Sequence, residues 1–553
     1  MKNNQPFSGG KNMKKNAKNA LRLTSMGLCA AMLLSACGGA SGSGSSGATG
    51  ETATSNSSAV AAPTGGGDGV LDIGYSQTPD SLTPFRQEGN RDAPYMNLMC
   101  ESLAVVDSNK ELQPWIATDW TTNDNGFTYT INIREGITDS AGNAITASDI
   151  AWYINTAKEM ALKPVFAKVD TATATSDTSL ELKMNDNIVG GFEKIMTDSY
   201  AISQAAYEAS SDGFGSELVS TSPYAVTEFT ANSVLTLELR DDYWQDVNNL
   251  PECVRPVVEK LSFHSIPEAS QMGIALETGE IDMAMRVDSS TGAQFVGNEN
   301  YTVELTDGHQ GWQLFFSGAD TSICAEDVNL RQAICYAIDA EGLVTGLCAG
   351  YGTVMHDAHS PVMVGYNTEW DNEEYYPYDV EKAKELLAQS SYNGETLNLL
   401  VSSATFSQRL GQMVQNYLLA VGINCELTLA DTALYMATRL DGTKYDMVIN
   451  TIGGTYLSDA WAIRYDPAAY ETGDATSRHD YDLAELLYAT WTPDGYTQEN
   501  IDKVHEYLRD SAIAYGIVNP QNMTIWRSDL DLQNEVKEIA GYIAPAASTF
   551  GNI

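Results

Sequence analysis

Basic residues are scarce in this sequence. Of its 553 residues, 31 are Lys or Arg and 73 are Asp or Glu, which gives a net charge of −42 at pH 7. Proteins bind a polyphosphate backbone mainly through Lys and Arg, so this charge balance excludes nucleic acid as a partner. The acidity does not identify a ligand, because solubility explains it equally well.

Motifs of common catalytic and metal sites are also missing. The sequence contains no G-x-S-x-G elbow, no H-E-x-x-H zinc motif and no P-loop. It has six histidines, and the one close pair, His356 and His359, is more typical of a solvated loop than of a metal site, because no further ligands follow nearby. We therefore expect no catalytic residues, no metal ligands and no cofactor, and an exported hydrolase remains only a residual alternative.

Cysteines are few, and none shows the paired spacing of a zinc site. Two of them, Cys29 and Cys37, lie near the N-terminus. The others are Cys100, Cys253, Cys324, Cys335, Cys348 and Cys425. An even number in an exported protein permits disulfides, but the sequence does not define their pairing. Cys335 lies on an apolar helical face, which favours a plain buried thiol.

The first residues have the pattern of a secretory signal. A stretch with Lys and Arg but without Asp or Glu precedes an apolar run from Leu23 to Ala36, which is short for a membrane span. The run ends in Leu34-Ser35-Ala36-Cys37-Gly38, which resembles the bacterial lipobox. We therefore expect residues 1–36 to be removed and Cys37 to carry a lipid that anchors an extracytoplasmic protein to the cell membrane.

The segment after Cys37 has almost no apolar bulk, so residues 37–67 are predicted to form a flexible linker. In the body that follows, apolar and polar residues alternate from Phe127 to Ile133, which predicts a strand. Apolar residues at helical spacing between Leu410 and Val421 predict a helix that ends at Gly422, and a second alternating strand begins at Ile423. A helix that leads directly into a strand is typical of α/β layers.

Ordered segments from about Ser81 onward resemble one known family. They are Leu82-Thr83-Pro84, Glu101-Ser102-Leu103, Pro114 to Trp120, Phe127 to Gly136, Ile145 to Ile150, Ser220 to Tyr224, Asp242-Tyr243-Trp244, Gly279 to Asp282, Asn329 to Asp339 and Tyr378 to Leu387. Each segment alone is a weak signal, but their joint order over most of the chain is specific. By these segments the chain is similar to the family 5 extracellular solute-binding proteins, which bind oligopeptides, dipeptides and nickel.

This resemblance implies a fold and a division into domains. The expected fold is α/β and periplasmic-binding-protein-like (type II, cluster C), with two lobes and an extra inserted domain. The implied boundaries are 68–100, 214–310 and 523–553 for lobe one (domain I), 101–213 for the inserted domain II, and 311–522 for lobe two (domain III).

The resemblance also implies a function. The chain is expected to be a monomeric substrate-binding lipoprotein that captures a peptide or peptide-sized solute between its lobes and delivers it to the permease subunits of an ABC importer. Closure would bury the solute and replace its water shell by fixed hydrogen-bonding groups. Its membrane attachment would be through the N-terminal lipid only.

Candidate ligand-binding residues follow from the aligned segments. Asn90 and Arg91 stand where a first-lobe strand of the peptide binders pairs with peptide backbone. Thr455 replaces the Asp that receives the α-ammonium group of a peptide, so Asp459 is the candidate substitute. The remaining candidates are aromatic or apolar walls, and they are Trp312, Phe406, Tyr456 and Trp461.

The loss of the Asp at Thr455 leaves the ligand class open. A buried ammonium group without a carboxylate partner is costly, so a solute without a free N-terminus is an alternative to a peptide. An oligosaccharide or a metal chelate would fit that case. A ligand-sensing or adhesion lipoprotein that reuses the same fold is the alternative to a transport function.

Overall fold

The computed structural model describes residues 70–85, 93–107, 111–122, 125–256, 258–308, 311–452, 456–467, 480–530, 537–539 and 542–544. The predicted signal, Cys37 and the linker lie outside these ranges, as do Asn90, Arg91 and Thr455. Within them, no helix is long and apolar enough to cross a membrane.

The helices are distributed along the whole described chain. They are α1 (Ala93–Met99), α2 (Ala147–Glu159), α3 (Gly191–Asp198), α4 (Gln204–Ala209), α5 (Ala269–Thr278), α6 (Ser289–Gly292), α7 (Val328–Ala337), α8 (Ala340–Cys348), α9 (Val380–Gln389), α10 (Thr405–Ala420), α11 (Thr432–Arg439), α12 (Leu457–Tyr465), α13 (Tyr481–Trp491) and α14 (Gln498–Ser511).

The strands are β1 (Val70–Tyr75), β2 (Ala104–Val106), β3 (Leu112–Pro114), β4 (Ala117–Thr122), β5 (Thr128–Ile133), β6 (Val169–Ser176), β7 (Ser179–Met184), β8 (Tyr224–Thr230), β9 (Val234–Leu239), β10 (Lys260–Ser265), β11 (Met283–Val287), β12 (Tyr301–Asp307), β13 (Gly311–Phe316), β14 (Gly352–Val354), β15 (Thr396–Ser402), β16 (Asn424–Ala430), β17 (Met447–Ile452), β18 (Ala514–Arg527), β19 (Lys537–Ile539) and β20 (Tyr542–Ala544). The predicted strand near Phe127, the helix that ends at Gly422 and the strand after it are confirmed as β5, α10 and β16.

The largest sheet has the strand order β16-β15-β17-β13-β18-β11-β1-β10-β9-β8, and β12 and β14 also pair with β18. A separate four-stranded antiparallel sheet has the order β4-β5-β7-β6. The buried side chains of this smaller sheet join one hydrophobic cluster with those of β1, β9 and β10. We call the part of the molecule that contains these strands, together with β11 and β12, the first lobe, and we call residues 311–518 the second lobe. The predicted domain boundaries remain predictions.

Three of the family-like segments meet in the first lobe around one buried carboxylate. Glu101 accepts hydrogen bonds from Trp115 Nε1 at 2.9 Å, Trp244 Nε1 at 2.8 Å and the Tyr243 hydroxyl at 2.5 Å. Burial raises the pKa of Glu101 to about 7, although the three donors and the charge of Arg240 act in the opposite direction. The carboxylate thus connects chain segments that are distant in sequence.

The second lobe is a sheet with two apolar faces. On β13, Leu314 and Phe316 belong to one core cluster and Phe315 to the other, and β15 and β17 alternate in the same way. Successive side chains of a strand point to opposite faces, which accounts for this division. Helix α10 packs on the first of these faces, whereas α12 packs on the second.

The chain passes between the lobes at two neighbouring places. One lies between the end of β12 and the start of β13, and the other lies within β18, which pairs with β13 and β14 in the second lobe and with β11 and β12 in the first. A side chain at Gly308 would put a Cβ atom 2.6 Å from the Pro520 carbonyl oxygen. The glycine therefore permits the two crossing segments to lie against each other.

Candidate functional site

Two adjacent parallel strands of the second-lobe sheet lead into helices on opposite faces, and this topology defines a crevice at the carboxyl ends of the strands. Strand β15 pairs in parallel with both β16 and β17. Helix α10 leaves β15 over one face of the sheet, whereas α12 follows β17 over the other face. In α/β sheets, ligands bind outside the carboxyl ends of strands where neighbouring connections diverge in this way. The crevice between β15 and β17 is therefore the candidate site.

Both helices at the crevice begin without a capping side chain. The residues that precede α10 and α12 are Ala404 and Tyr456, and neither makes a side-chain capping bond. The other helices among the described second-lobe residues are capped by a side-chain oxygen at Asp327, Asp339, Asp379, Asp431, Asp480 or Thr497. The first amides of a helix lack intrahelical partners and attract anions. Of the described second-lobe helices, the two with uncapped starts are thus the two that border the crevice.

The α10 side of the crevice combines aromatic rings with free amides. Trp312 lies opposite Thr451 in the β13–β17 register, and its ring lies 5.0 Å from the ring of Phe406, centroid to centroid. Both rings are partly buried. The next residue, Ser407, is fully buried, and its hydroxyl makes no hydrogen bond to the described residues. No acidic residue stands in the first turn of α10, so this end of the helix keeps its positive potential.

The α12 side is occupied by the protein itself. Asp459, in the first turn of α12, lies 3.6 Å from the Lys168 ammonium group of the first lobe, measured between Oδ1 and Nζ. The Tyr456 ring lies against Gly190 of the first lobe. A carboxylate that already faces both a lysine and a helix N-terminus is a poor partner for a ligand ammonium group. Asp459 thus forms an ion pair between the lobes, and its expected role in ammonium binding stays a prediction.

Trp461 lies in the core and lines no open surface. It is fully buried, and its Nε1 lies 3.1 Å from His359 Nδ1. The expectation that it forms a wall of the site is thus corrected, because Trp461 lies one helical turn after Leu457 on the same face of α12, and both side chains belong to the second core face.

The pair His356 and His359 also differs from the expected solvated loop. His359 and Asp357 are buried. Asp357 Oδ1 lies 3.0 Å from His359 Nδ1, and its Oδ2 lies 2.8 Å from His505 Nδ1. Burial alone would raise the pKa of Asp357, but these two histidines hold it well below its usual range. Burial likewise opposes the charge on His505, yet Asp357 and Glu373 together raise its pKa. The cluster is an internal support for α12.

The structure thus divides the predicted site residues between the two faces of the sheet. It brings Trp312 and Phe406 together on the α10 face and places Tyr456, Asp459 and Trp461 at the start of α12. Ser407 and Lys168 were not among the predicted residues. The sequence does hold a signal for the uncapped turn that contains Ser407. Ala404, the residue directly before α10, has no side-chain oxygen, unlike the Asp or Thr before neighbouring helices.

The described residues contain no group of three or more His, Cys, Asp or Glu side chains that could hold a metal ion. The six described cysteines are all buried. Burial raises the pKa of Cys425 to about 12, and Cys335 is a buried thiol as predicted. Neither observation adds a reactive group to the crevice.

Comparison with known proteins places the chain among transport proteins. Residues 111–472 match the family described as bacterial extracellular solute-binding proteins, family 5 Middle. Over 371 residues the chain is 25% identical to the glutathione-binding protein GsiB of Shigella boydii serotype 4 (strain Sb227). The matched region covers 66% of this chain and 70% of that protein.

Solved structures of similar fold cover most of the chain. The ABC transporter substrate-binding protein CtaP from Listeria monocytogenes superposes with a TM-score of 0.73 at 19% identity, covering 88% of this chain and 99% of CtaP. NikA from Brucella suis, in complex with Fe(III)-EDTA, gives a TM-score of 0.74 at 17% identity, with coverages of 88% and 100%. At these identities the likeness establishes the fold, and the expected periplasmic-binding-protein-like α/β fold is confirmed.

Proposed function

Because the chain belongs to the bacterial extracellular solute-binding proteins of family 5, we propose that it is the substrate-binding lipoprotein of an ABC importer. In this proposal Cys37 carries the lipid, and the body acts as a monomer outside the cytoplasm. It captures a peptide or peptide-sized solute between its lobes and presents it to the permease. The protein supplies hydrogen bonds and apolar walls, and no chemical step is involved.

The observation that supports a particular class of ligand is the uncapped start of α10. Its first amides and the helix dipole suit a carboxylate on the solute, and the Ser407 hydroxyl in the same turn is buried without a partner among the described residues. The adjacent Trp312 and Phe406 rings suit an apolar or planar portion of the same molecule. A peptide with a free C-terminus meets both requirements, and so does glutathione, which the GsiB relatives bind by name.

A metal chelate with carboxylate arms is the second candidate. It would place a carboxylate at the same helix start, and the NikA structure of similar fold is in complex with Fe(III)-EDTA. Because the described residues hold no metal-binding group of their own, such a metal would arrive already chelated. An uncharged oligosaccharide leaves the α10 amides without an anion and is not favoured by this geometry.

The direct test is mass spectrometry of the full-length protein purified from membranes. After denaturation, we expect release of a carboxylate-bearing solute that, when added back, raises the melting temperature of emptied protein. The same measurement reads the mature N-terminus, for which we expect a lipid-modified peptide that begins at Cys37. An unmodified N-terminus upstream of Cys37, or a released solute without any anionic group, would contradict the respective part of the proposal.

A further inference from the structure

The loop between β7 and α3, residues 185–190, reaches from the first lobe to the second. One residue of this loop, Val189, forms hydrogen bonds to the second lobe through both of its main-chain groups. The Val189 amide donates to the Trp491 carbonyl at 2.7 Å, and its carbonyl accepts from the Ser458 hydroxyl at 2.8 Å. Ser458 is fully buried. Separation of the lobes would therefore break a buried hydrogen bond between its hydroxyl and the Val189 carbonyl.

The next residue, Gly190, fits this contact through shape. It has a φ of 95°, in the left-handed region that favours glycine. A Cβ atom at this position would lie 2.8 Å from Tyr456 Cβ, which is closer than two carbon atoms approach. Its amide donates to Glu193 Oε2 at 2.9 Å, which holds the turn in place. The contact between the lobes therefore requires glycine at position 190.

A charge contact borders the same loop. Lys168 Nζ lies 3.5 Å from Asp186 Oδ1 within the first lobe and 3.6 Å from Asp459 Oδ1 in the second. The lysine side chain is 17% exposed, so solvent screens this pair only in part. It adds a second attraction between the lobes beside the two hydrogen bonds of Val189.

This contact is distinct from the two chain crossings, which lie between β12 and β13 and within β18. It lies on the first turn of α12 and the end of α13, and α12 is one of the two helices at the crevice. Tyr456, at the crevice, packs directly on Gly190. The contact thus joins the lobes at the site while the crossings join them covalently.

We propose that residues 185–190 of the first lobe form a latch that holds the lobes closed through α12 and positions Tyr456 at the crevice. The latch rests on the proposed capture of solute by lobe closure. It gives this loop a role in closure, because the loop belongs to the first lobe and touches the helix beside the solute. Solute release would then require the two Val189 hydrogen bonds and the Lys168–Asp459 pair to break.

The test measures lobe closure in the emptied protein, with no solute present. Spin labels are attached to cysteines introduced at the exposed positions Asp170 and Glu485, one on each lobe, while the six described native cysteines are buried. Pulsed electron–electron double resonance then gives the distribution of distances between the two labels, and hence between the lobes, for the full-length protein. We expect Ser458→Ala to lower the ratio of closed to open molecules by about fivefold and Gly190→Ala to lower it further.

Two control variants make the same chemical changes at second-lobe positions that take no part in the contact between the lobes. Ser317→Ala removes a buried hydroxyl that donates to the Gly442 carbonyl at 2.8 Å. Gly394→Ala adds a methyl group at a φ of 98°, where no atom lies within 4 Å of the new Cβ. The controls therefore carry the lost hydrogen bond and the backbone strain without touching the latch, and we expect both to keep the wild-type distance distribution.

Equal distributions in the wild type and all four variants, whether closed or open, would overturn the latch. An equal shift in Gly190→Ala and Gly394→Ala would overturn it too, because backbone strain would then explain the effect. Since no solute takes part, failure here leaves the capture of a carboxylate-bearing solute standing. Conversely, a released solute of another class leaves the latch standing.

Discussion

The two helices that border the crevice, α10 and α12, both begin without a capping side chain, yet their first turns have different surroundings. The start of α10 has no acidic residue and a buried Ser407 hydroxyl without a partner among the described residues. The start of α12 has Asp459 in its first turn, Lys168 beside it and Ser458 bonded to the latch loop. One helix start is available to a solute, whereas the other is filled by the protein.

The interior of the protein strengthens the same contrast. Under α12, Trp461 and His359 connect the helix to Asp357 and His505, and the His505 ring stacks on Trp370 at 4.0 Å between centroids. Beside α10, the aromatic pair Trp312 and Phe406 stays partly buried. Changes on the α12 side should therefore act mainly on stability and closure, and changes on the α10 side mainly on affinity.

The largest expected effect is on the support under α12. Replacing His505 by glutamine leaves Asp357 buried with one fewer charged partner, and we expect a loss of about 3 kcal/mol of unfolding free energy at pH 6. The raised pKa of His505 means that its stabilising contribution is complete below its unfolded value and is lost as pH rises through its folded value. Denaturant titrations between pH 6 and pH 8 should therefore show a falling stability in the wild type and a flatter profile in the variant.

A matched comparison for that result is His264→Gln in the first lobe. His264 also has a raised pKa from its hydrogen bond to Asp72, but its side chain is 37% exposed, so solvent screens the pair and the loss should be smaller. The contrast between the helices would fail if His505→Gln weakened solute binding while leaving the unfolding free energy unchanged.

The next effect is on affinity at the start of α10. Replacing Ala404 by aspartate supplies the missing cap, which should stabilise the protein by about 1 kcal/mol. The new carboxylate would occupy the amides that we assign to the solute, so the dissociation constant for the co-purified solute should rise by about 30-fold. Calorimetric titration and thermal melting measure the two changes in the same preparation.

The smallest effect belongs to the control for that variant. Asp379 caps α9 through a 2.9 Å bond to the Lys382 amide. Asp379→Ala should cost about 1 kcal/mol of stability and leave affinity unchanged. Loss of affinity in Asp379→Ala to the extent seen in Ala404→Asp would show that binding follows general stability rather than the α10 amides.

The sequence allowed prediction of those parts of the fold that depend on local pattern. The alternation from Phe127 to Ile133 and the helix that ends at Gly422 appear where expected, because each depends on neighbours in the chain. The order of the family-like segments predicted the fold, and three of them meet at Glu101.

What the sequence did not show depends on partners far apart in the chain. Asp459 pairs with Lys168, and His359 is buried between Asp357 and Trp461, so neither role can be read from nearby residues. Ser407 is a candidate because it follows Phe406, whose ring lies beside that of Trp312 at the crevice, and this proximity depends on the tertiary fold. Tertiary contacts, rather than residue type, decide which candidate faces the crevice.

The central claim is that a carboxylate of the solute binds at the start of α10. Its most direct test is calorimetric titration of the emptied protein with the co-purified solute and with a derivative whose carboxylates are converted to amides. The account predicts at least about tenfold weaker binding of the amide by the wild type, because charge-assisted hydrogen bonds are lost. It also predicts a smaller difference in Ser407→Ala. Equal affinity of the wild type for the acid and the amide would contradict it.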